Sequence, residues 1–173
     1  ILYLWVARMI FSSLELVKQI PFTHILIHPT VLTKTGQRMS KSLGTGIDPL
    51  ELIAKYGADA TRFGLLYQMS HDQQAMHFDE AAIVAARNFA NKIWNIARFL
   101  NTLPDRDEPS LADDWMIATL DNLAHEITAL LDEFKVGEAA RRLYDFVWSD
   151  FADWYVEILK GEGSTSAAKK LFQ

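Results

Sequence analysis

Apolar residues recur every three or four positions along most of this chain, the spacing of helices that each bury one face. Leu4, Ala7, Phe11 and Leu14 share such a face and predict a helix within residues 2–17, with Pro21 closing the region. Residues 23–28 (Thr-His-Ile-Leu-Ile-His) break the pattern; short, β-branched and apolar, they predict a buried strand. Pro29 follows, and Lys34-Thr35-Gly36-Gln37 reads as a turn. Asp48-Pro49-Leu50-Glu51 then marks a helix start. The Asp carboxylate can take a free backbone N–H, Pro has no N–H to orphan, and Glu stands three residues after the cap. Gly57 suits a left-handed C-cap that ends this helix after Tyr56, and Asp59 opens a second one running to about Gln68.

From Ala81 onward the helical period dominates. Phe89, Ile93, Ile96, Ala97 and Leu100 form one apolar stripe, and Leu103-Pro104-Asp105 stops it in a polar loop over residues 104–110. Leu120, Leu123, Ile127, Leu130 and Phe134 mark the next helix, which Gly137 is expected to break. Leu143, Val147, Phe151, Trp154 and Ile158 mark a third. Long helices joined by short loops predict an antiparallel bundle, with Trp94, Trp148 and Trp154 expected in its core. Asp113-Asp114 reads as a charge pair at a helix N-terminus. The predicted fold is therefore mainly α, behind a short α/β segment.

Composition narrows the picture. At 173 residues, half hydrophobic and 23% charged, the chain is neither disordered nor fibrous. It has no cysteine, which excludes disulfides, thiolate nucleophiles and cysteine-bound zinc. His71 and His77 flank Asp72 without a tight ligand spacing, so no metal site is expected. The net charge of -5 is uneven. Residues 1–43 carry Arg8, Lys18, Lys34, Arg38 and Lys41 against Glu15, a balance of +4, whereas residues 79–160 carry 16 acids and 8 bases. The apolar N-terminal run is interrupted by Arg8 and lacks a basic leader, and it is shorter than the ~20 apolar residues of a membrane span. A cytoplasmic protein with no membrane partner is the expectation.

The richest local chemistry lies in residues 36–46, where Arg38, Ser40, Lys41 and Ser42 sit between Gly36 and Gly44-Thr45-Gly46. Two cations, two hydroxyls and flanking glycines can satisfy the oxygens of a polyphosphate. The spacing is not that of a Walker A loop, since Gly36 stands five residues before Lys41 with Ser40 between. A solvated basic turn accounts equally well for these residue types.

Arg38-Met39-Ser40-Lys41-Ser42 resembles the KMSKS signature of class I aminoacyl-tRNA synthetases, with Arg at its first position. The resemblance runs through nearly the whole chain. Trp5-Val6-Ala7-Arg8-Met9-Ile10, Ile47-Asp48-Pro49-Leu50 and Tyr56-Gly57-Ala58-Asp59-Ala60 are similar to the valyl branch of that family. So are Ala86-Arg87-Asn88-Phe89-Ala90-Asn91-Lys92 and the stretch from Leu143-Tyr144-Asp145-Phe146 to Asp153-Trp154-Tyr155. The resemblance implies ATP as substrate with Mg2+ expected, valine as the amino acid and tRNA(Val) as partner. It implies three parts: the end of a Rossmann-like catalytic domain over residues 1–47, a stem-contact-like helical connector over 48–78, and part of an anticodon-binding bundle over 79–173. A synthetase for isoleucine or leucine, or a non-catalytic tRNA-binding module, remains the alternative.

The same resemblance assigns roles. Activation is an in-line attack by an already ionised carboxylate, so positioning and charge stabilisation carry it. Lys41 would neutralise the departing pyrophosphate, and Arg38 would share that work with a planar fork in place of an ammonium. Met39, Ser40 and Ser42 would shape the ATP loop, and His28 would stand at the nucleotide side. Pro29 occupies a position where the family usually has Gly, and Thr45-Gly46 one where Asn-Val is commoner. Ile1 falls near the family's amino-acid side-chain position, although packing is its simpler role. Arg87, Asn88, Asn91, Lys92, Asn95 and Arg98 share a polar helix face able to grip phosphates and read splayed bases, and this face is the expected tRNA contact. The class also requires a HIGH signature, which these 173 residues lack, so the chain alone is expected to be inactive.

Overall fold

The structure, a computed structural model, describes residues 1–40, 44–70 and 73–164. A π-type turn over Leu2–Val6 leads into α1 (Ala7–Leu16), and β1 (Thr30–Leu32) comes after it. Next come α2 (Pro49–Tyr56), α3 (Ala58–Tyr67) and β2 (Ala75–His77). The back half is α4 (Glu80–Leu100), α5 (Leu111–Asp132) and α6 (Val136–Asp145), continued by a π-type stretch Phe146–Tyr155 into α7 (Val156–Glu162). The helical bundle dominates, as the periodicity predicts.

The helix starts are set by their caps. Asp48 Oδ1 accepts the Leu50 N–H at 2.9 Å, and Asp79 Oδ1 accepts that of Ala81 at 3.1 Å. Gly57 ends α2 as expected, but with φ 91° and ψ 157° it is extended beyond the left-handed helical region, turning the chain directly into α3.

Four expectations are corrected. Residues 23–28 form no strand: Ile25, Leu26 and Ile27 are exposed, and the sheet consists of β1 and β2 alone, parallel, with Val31 opposite Met76. A strand needs a partner beside it, and among the described residues nothing pairs with 23–28. Gly137 does not break a helix. Phe134, at φ 60°, makes the α5–α6 break, and Gly137 lies in α6 because a Cβ there would stand 2.0 Å from the Met69 carbonyl oxygen. Trp94, Trp148 and Trp154 are outside the core, as are Trp5 and Trp115. Finally, the last helix buries Val147, Phe151, Tyr155 and Leu159, so the predicted face through Trp154 and Ile158 is one residue out of register. Each π turn takes in an extra residue, which rotates the face onward.

Two apolar clusters hold the chain together. The smaller, Leu52, Ala60, Phe78, Ile83 and Ala86, packs α2 and α3 on the start of α4, with Val31 and Met39 against its edge. The larger joins α4, α5 and the last helix through Phe89, Leu100, Met116, Leu123, Phe151 and Leu159. Each such side chain contributes about 1.5–3 kcal/mol by leaving water. Asp113 is more than a surface charge. Buried within α5's first turn, it accepts bonds from Arg106 (2.7 Å), the Ser110 N–H (2.8 Å) and the Tyr155 hydroxyl (2.6 Å). Burial alone would raise its pKa, but these donors outweigh it and hold the carboxyl below its usual range.

Candidate functional site

The signature segment grows from a small hairpin. Thr33 N–H donates to the Gln37 carbonyl at 2.8 Å and Gly36 N–H to that of Thr33 at 2.9 Å, with Gly36 at φ 82° where other residues are strained. Leu32 and Arg38 form an antiparallel bridge at its base. Lys34 ties the hairpin to α4 through Asp79 at 3.2 Å. The Ala81 N–H and Lys34 together hold the Asp79 carboxyl below its usual pKa. A second clamp stands beside it: Glu80 Oε1 accepts from Tyr56 at 2.6 Å and from Lys55 at 2.9 Å, and both lower its pKa.

Arg38 is exposed, as a phosphate-seeking cation must be, while Met39 is drawn inward against the smaller core cluster. Ser40 and Thr45 close the loop between them. The Thr45 hydroxyl accepts the Ser40 N–H at 3.0 Å and stands 3.2 Å from the Arg38 carbonyl, while the Thr45 N–H donates to Ser40 O at 3.2 Å. In the sequence Thr45 stands out only as a departure from the family; its hydroxyl is the clasp of the loop's ends. The predicted site residues Lys41 and Ser42 lie outside the described residues, as do His71 and Asp72.

His28 is exposed, and its Nδ1 meets the Pro29 carbonyl at 2.9 Å, with Pro29 itself buried. His28 borders an apolar cavity of about 460 Å³ lined by Ile1, Trp5, Val6, Met9, Phe22 and residues 24–27. Arg38 is not among the residues around that cavity.

The second site is on α4. At about 100° per residue, Arg87, Arg98, Asn91, Asn95, Asn88 and Lys92 fall in that order across an arc of roughly 140°. All but Lys92 are exposed. Asn88, Asn91, Lys92 and Asn95 form one wall of an open groove of about 560 Å³, whose other wall is Asp153, Val156, Glu157 and Lys160. Arg87 and Arg98 stand at the stripe's far edge. Lys92 is not simply solvated: it lies 3.6 Å above the Trp148 ring and 3.5 Å from Asp153. Trp148 stacks on Tyr144 with planes 12° apart, and Tyr144 leans on Phe89 and Tyr67. Trp94, 68% exposed, adjoins Arg87 and Arg98 on the same side of the helix. Its residue type suggests a core position, but its place in the helical period points the other way.

Comparison with known proteins supplies the family. Residues 1–79 match the family described as tRNA synthetases class I (I, L, M and V), and residues 113–173 match the anticodon-binding domain of tRNA ligase. Valine–tRNA ligase of Carboxydothermus hydrogenoformans is 46% identical over 92% of this chain and 19% of its own length. That of Latilactobacillus sakei is 42% identical over 99% of the chain and 21% of its own. The chain thus spans about a fifth of the length of the curated relatives it matches. Among solved structures, the leucyl-tRNA synthetase of Agrobacterium radiobacter K84, in a ternary complex with tRNA and LeuAMS, superposes with TM-score 0.67 at 18% identity, covering 95% of this chain and 22% of that one. Mycobacterium tuberculosis methionyl-tRNA synthetase bound by methionyl-adenylate gives 0.62 at 24% identity, over 82% and 30%. At these identities the two show the shared fold.

Proposed function

We propose, for a chain that belongs to the class I tRNA synthetases, that it supplies the ATP loop and the anticodon-side reader of a valine–tRNA ligase. In this reading the whole protein joins valine to ATP as valyl-adenylate, with loss of pyrophosphate, and passes the valyl group to tRNA(Val). The observation that carries it is the loop closed by Thr45 and Ser40, which presents Arg38 to solvent beside a hairpin anchored on α4. The specificity for valine is supported by the names of the relatives.

The chemistry needs no base within this segment. A carboxylate oxygen attacks the α-phosphorus in line, the bond from that phosphorus to the α,β-bridging oxygen breaks, and pyrophosphate leaves with the extra negative charge. Lys41 and Arg38 neutralise that charge as it develops, Lys41 as a compact ammonium and Arg38 as a fork bridging two oxygens. Met39, held against the core, and the Ser40–Thr45 clasp hold the backbone at Arg38, and the family resemblance gives Ser42 to the same loop. His28 borders the nucleotide side. Among the described residues no three acidic or histidine side chains converge on a cation position. Mg2+ would come with ATP, whose phosphates would hold it.

On the α4 face, Arg87 and Arg98 meet phosphates, and Asn88, Asn91, Asn95 and Lys92 address base edges over the groove. The domain assignment 1–47, 48–78 and 79–173 belongs to this reading; one family match runs across residues 1–79 and the other covers residues 113–173. The test is valine-dependent ATP–pyrophosphate exchange by the full-length protein. Exchange with valine that falls at least a hundredfold in Lys41→Ala supports the reading, and exchange that prefers isoleucine or leucine, or is untouched by the substitution, overturns it.

A further inference from the structure

Besides the smaller apolar cluster that packs α2 and α3 on α4, the connector meets the bundle where the end of α3 abuts α6. The last turn of α3 ends with carbonyls that no helical N–H can reach. One is taken locally, as the Gln68 side chain donates to Gly64 O at 2.8 Å. Two more are taken from outside: Nη1 of Arg141, on α6, donates at 2.8 Å to Tyr67 O and at 2.8 Å to Met69 O. A guanidinium at a helix C-terminus also meets the negative end of its dipole. Arg141 is only part-exposed and is oriented by Glu138 at 3.1 Å. Gly137, one turn earlier on the same helix, makes this approach possible by having no Cβ at the Met69 carbonyl.

Close to this joint in sequence, described residues on either side of 71–72 make contacts that lead to the sheet. Ser70 O accepts the Gln73 N–H at 3.3 Å, and Gln74 O accepts the Thr30 N–H at 2.9 Å, the first rung between β2 and β1. The last rung is the Phe78 N–H to Leu32 O, also 2.9 Å. Leu32 is the residue bridged to Arg38 at the base of the signature hairpin. On the other side, residues 26–29 share a small cleft with Met69, Ser70, Val136 and Gly137. Three parts of the chain therefore converge where Arg141 holds the backbone.

We propose that Arg141 is a positioning residue: by pinning Tyr67 O and Met69 O to the bundle it sets the register of β2 against β1, and through that ladder the place of the signature loop. The consequence for catalysis rests on the synthetase reading above; the pinning of the ladder does not. It also differs from a stability role, because the bundle core around Leu100 and Leu123 lies elsewhere.

Amide hydrogen exchange on this chain tests it without any activity assay. In Arg141→Ala the Thr30 and Phe78 amides are expected to exchange at least tenfold faster, with Leu100 and Leu123 changed less than twofold. Arg141→Lys, which keeps a cation but not the fork, falls between. Gly137→Ala, which keeps Arg141 but forces α6, and the guanidinium with it, off the Met69 carbonyl, repeats the Arg141→Ala pattern. Unchanged ladder amides, or uniform acceleration across ladder and bundle, would overturn the proposal. In the full-length protein the expected signature is a tenfold lower kcat of pyrophosphate exchange in Arg141→Ala, with KM for tRNA within twofold and Arg141→Lys partly restored. If the ladder responds while wild-type exchange shows no preference for valine, the specificity reading fails and the pin stands. If exchange is normal in every variant and the ladder does not move, the pin fails and the function stands.

Discussion

Phe11 on α1 and Leu159 on α7 are both large apolar side chains on helices, yet the first is 77% exposed and the second fully buried. The contrast extends to their regions. The bundle from α4 onward encloses its own core, closed at one end by the buried Asp113 cluster. The front carries the signature segment, but α1 and residues 23–28 hold their apolar faces toward solvent. A contiguous apolar surface of that kind marks a binding face. In the proposed function it is covered by the rest of a protein about five times this length, as the relatives are. Fold and chemistry are thus unevenly shared: the back supplies a framework, and the front borrows it through Lys34, the smaller core and the α3–α6 joint.

The sharpest break in the comparison is a pair of truncations. Leu159→Ala should cost the chain about 2–5 kcal/mol by leaving a cavity, while Phe11→Ala should stay within about 0.5 kcal/mol, both read by urea unfolding. Equal losses would mean that the front has a core of its own. Next, Lys41→Ala in the full-length protein should lower pyrophosphate exchange by roughly 10²–10³-fold with little change in melting temperature, because it acts on developing charge alone. Third, Asp113→Asn should cost about 2–3 kcal/mol at pH 7 by weakening its bonds to Arg106, Ser110 and Tyr155. The Asp113 pKa in the folded chain lies below the ordinary 3.8. Its contribution is therefore complete above that value and is lost as pH falls through the lowered one, so the gap between wild type and variant should narrow as acid is added below 3.8. Smallest in stability is Thr45→Val, about 1 kcal/mol or less, since it removes a single hydroxyl. Its effect should appear as a several-fold higher KM for ATP in pyrophosphate exchange.

Much of this is legible in the chain itself. The Asp48-Pro49 cap, the glycine turn after Tyr56 and the stripe from Phe89 to Leu100 all depend on neighbours a few residues away, and each stands where the pattern places it. The failures share a physical cause. Residues 23–28 have strand composition, but a strand is defined by what lies beside it. β1 and β2, three residues each, carry no period to detect. Gly137 has the composition of a breaker, yet its reason is a carbonyl at the end of another helix. Trp94 is misplaced by type: on α4 it lies about 120° from the centre of the apolar stripe, a signal already present in the spacing. Thr45 and Arg141 act on backbone atoms, which no side-chain pattern reveals.

In the proposed function tRNA reading resides in the α4 face of the back half. Its most direct test is a titration of this chain with valine, isoleucine and leucine tRNA transcripts at two salt concentrations. The account predicts selective binding of the valine transcript that weakens with salt, and in Arg98→Ala a salt slope reduced by about 0.7–0.9 for the one phosphate contact removed. Equal affinity for all three transcripts, or binding untouched by Asn91→Ala and Arg98→Ala, would contradict it.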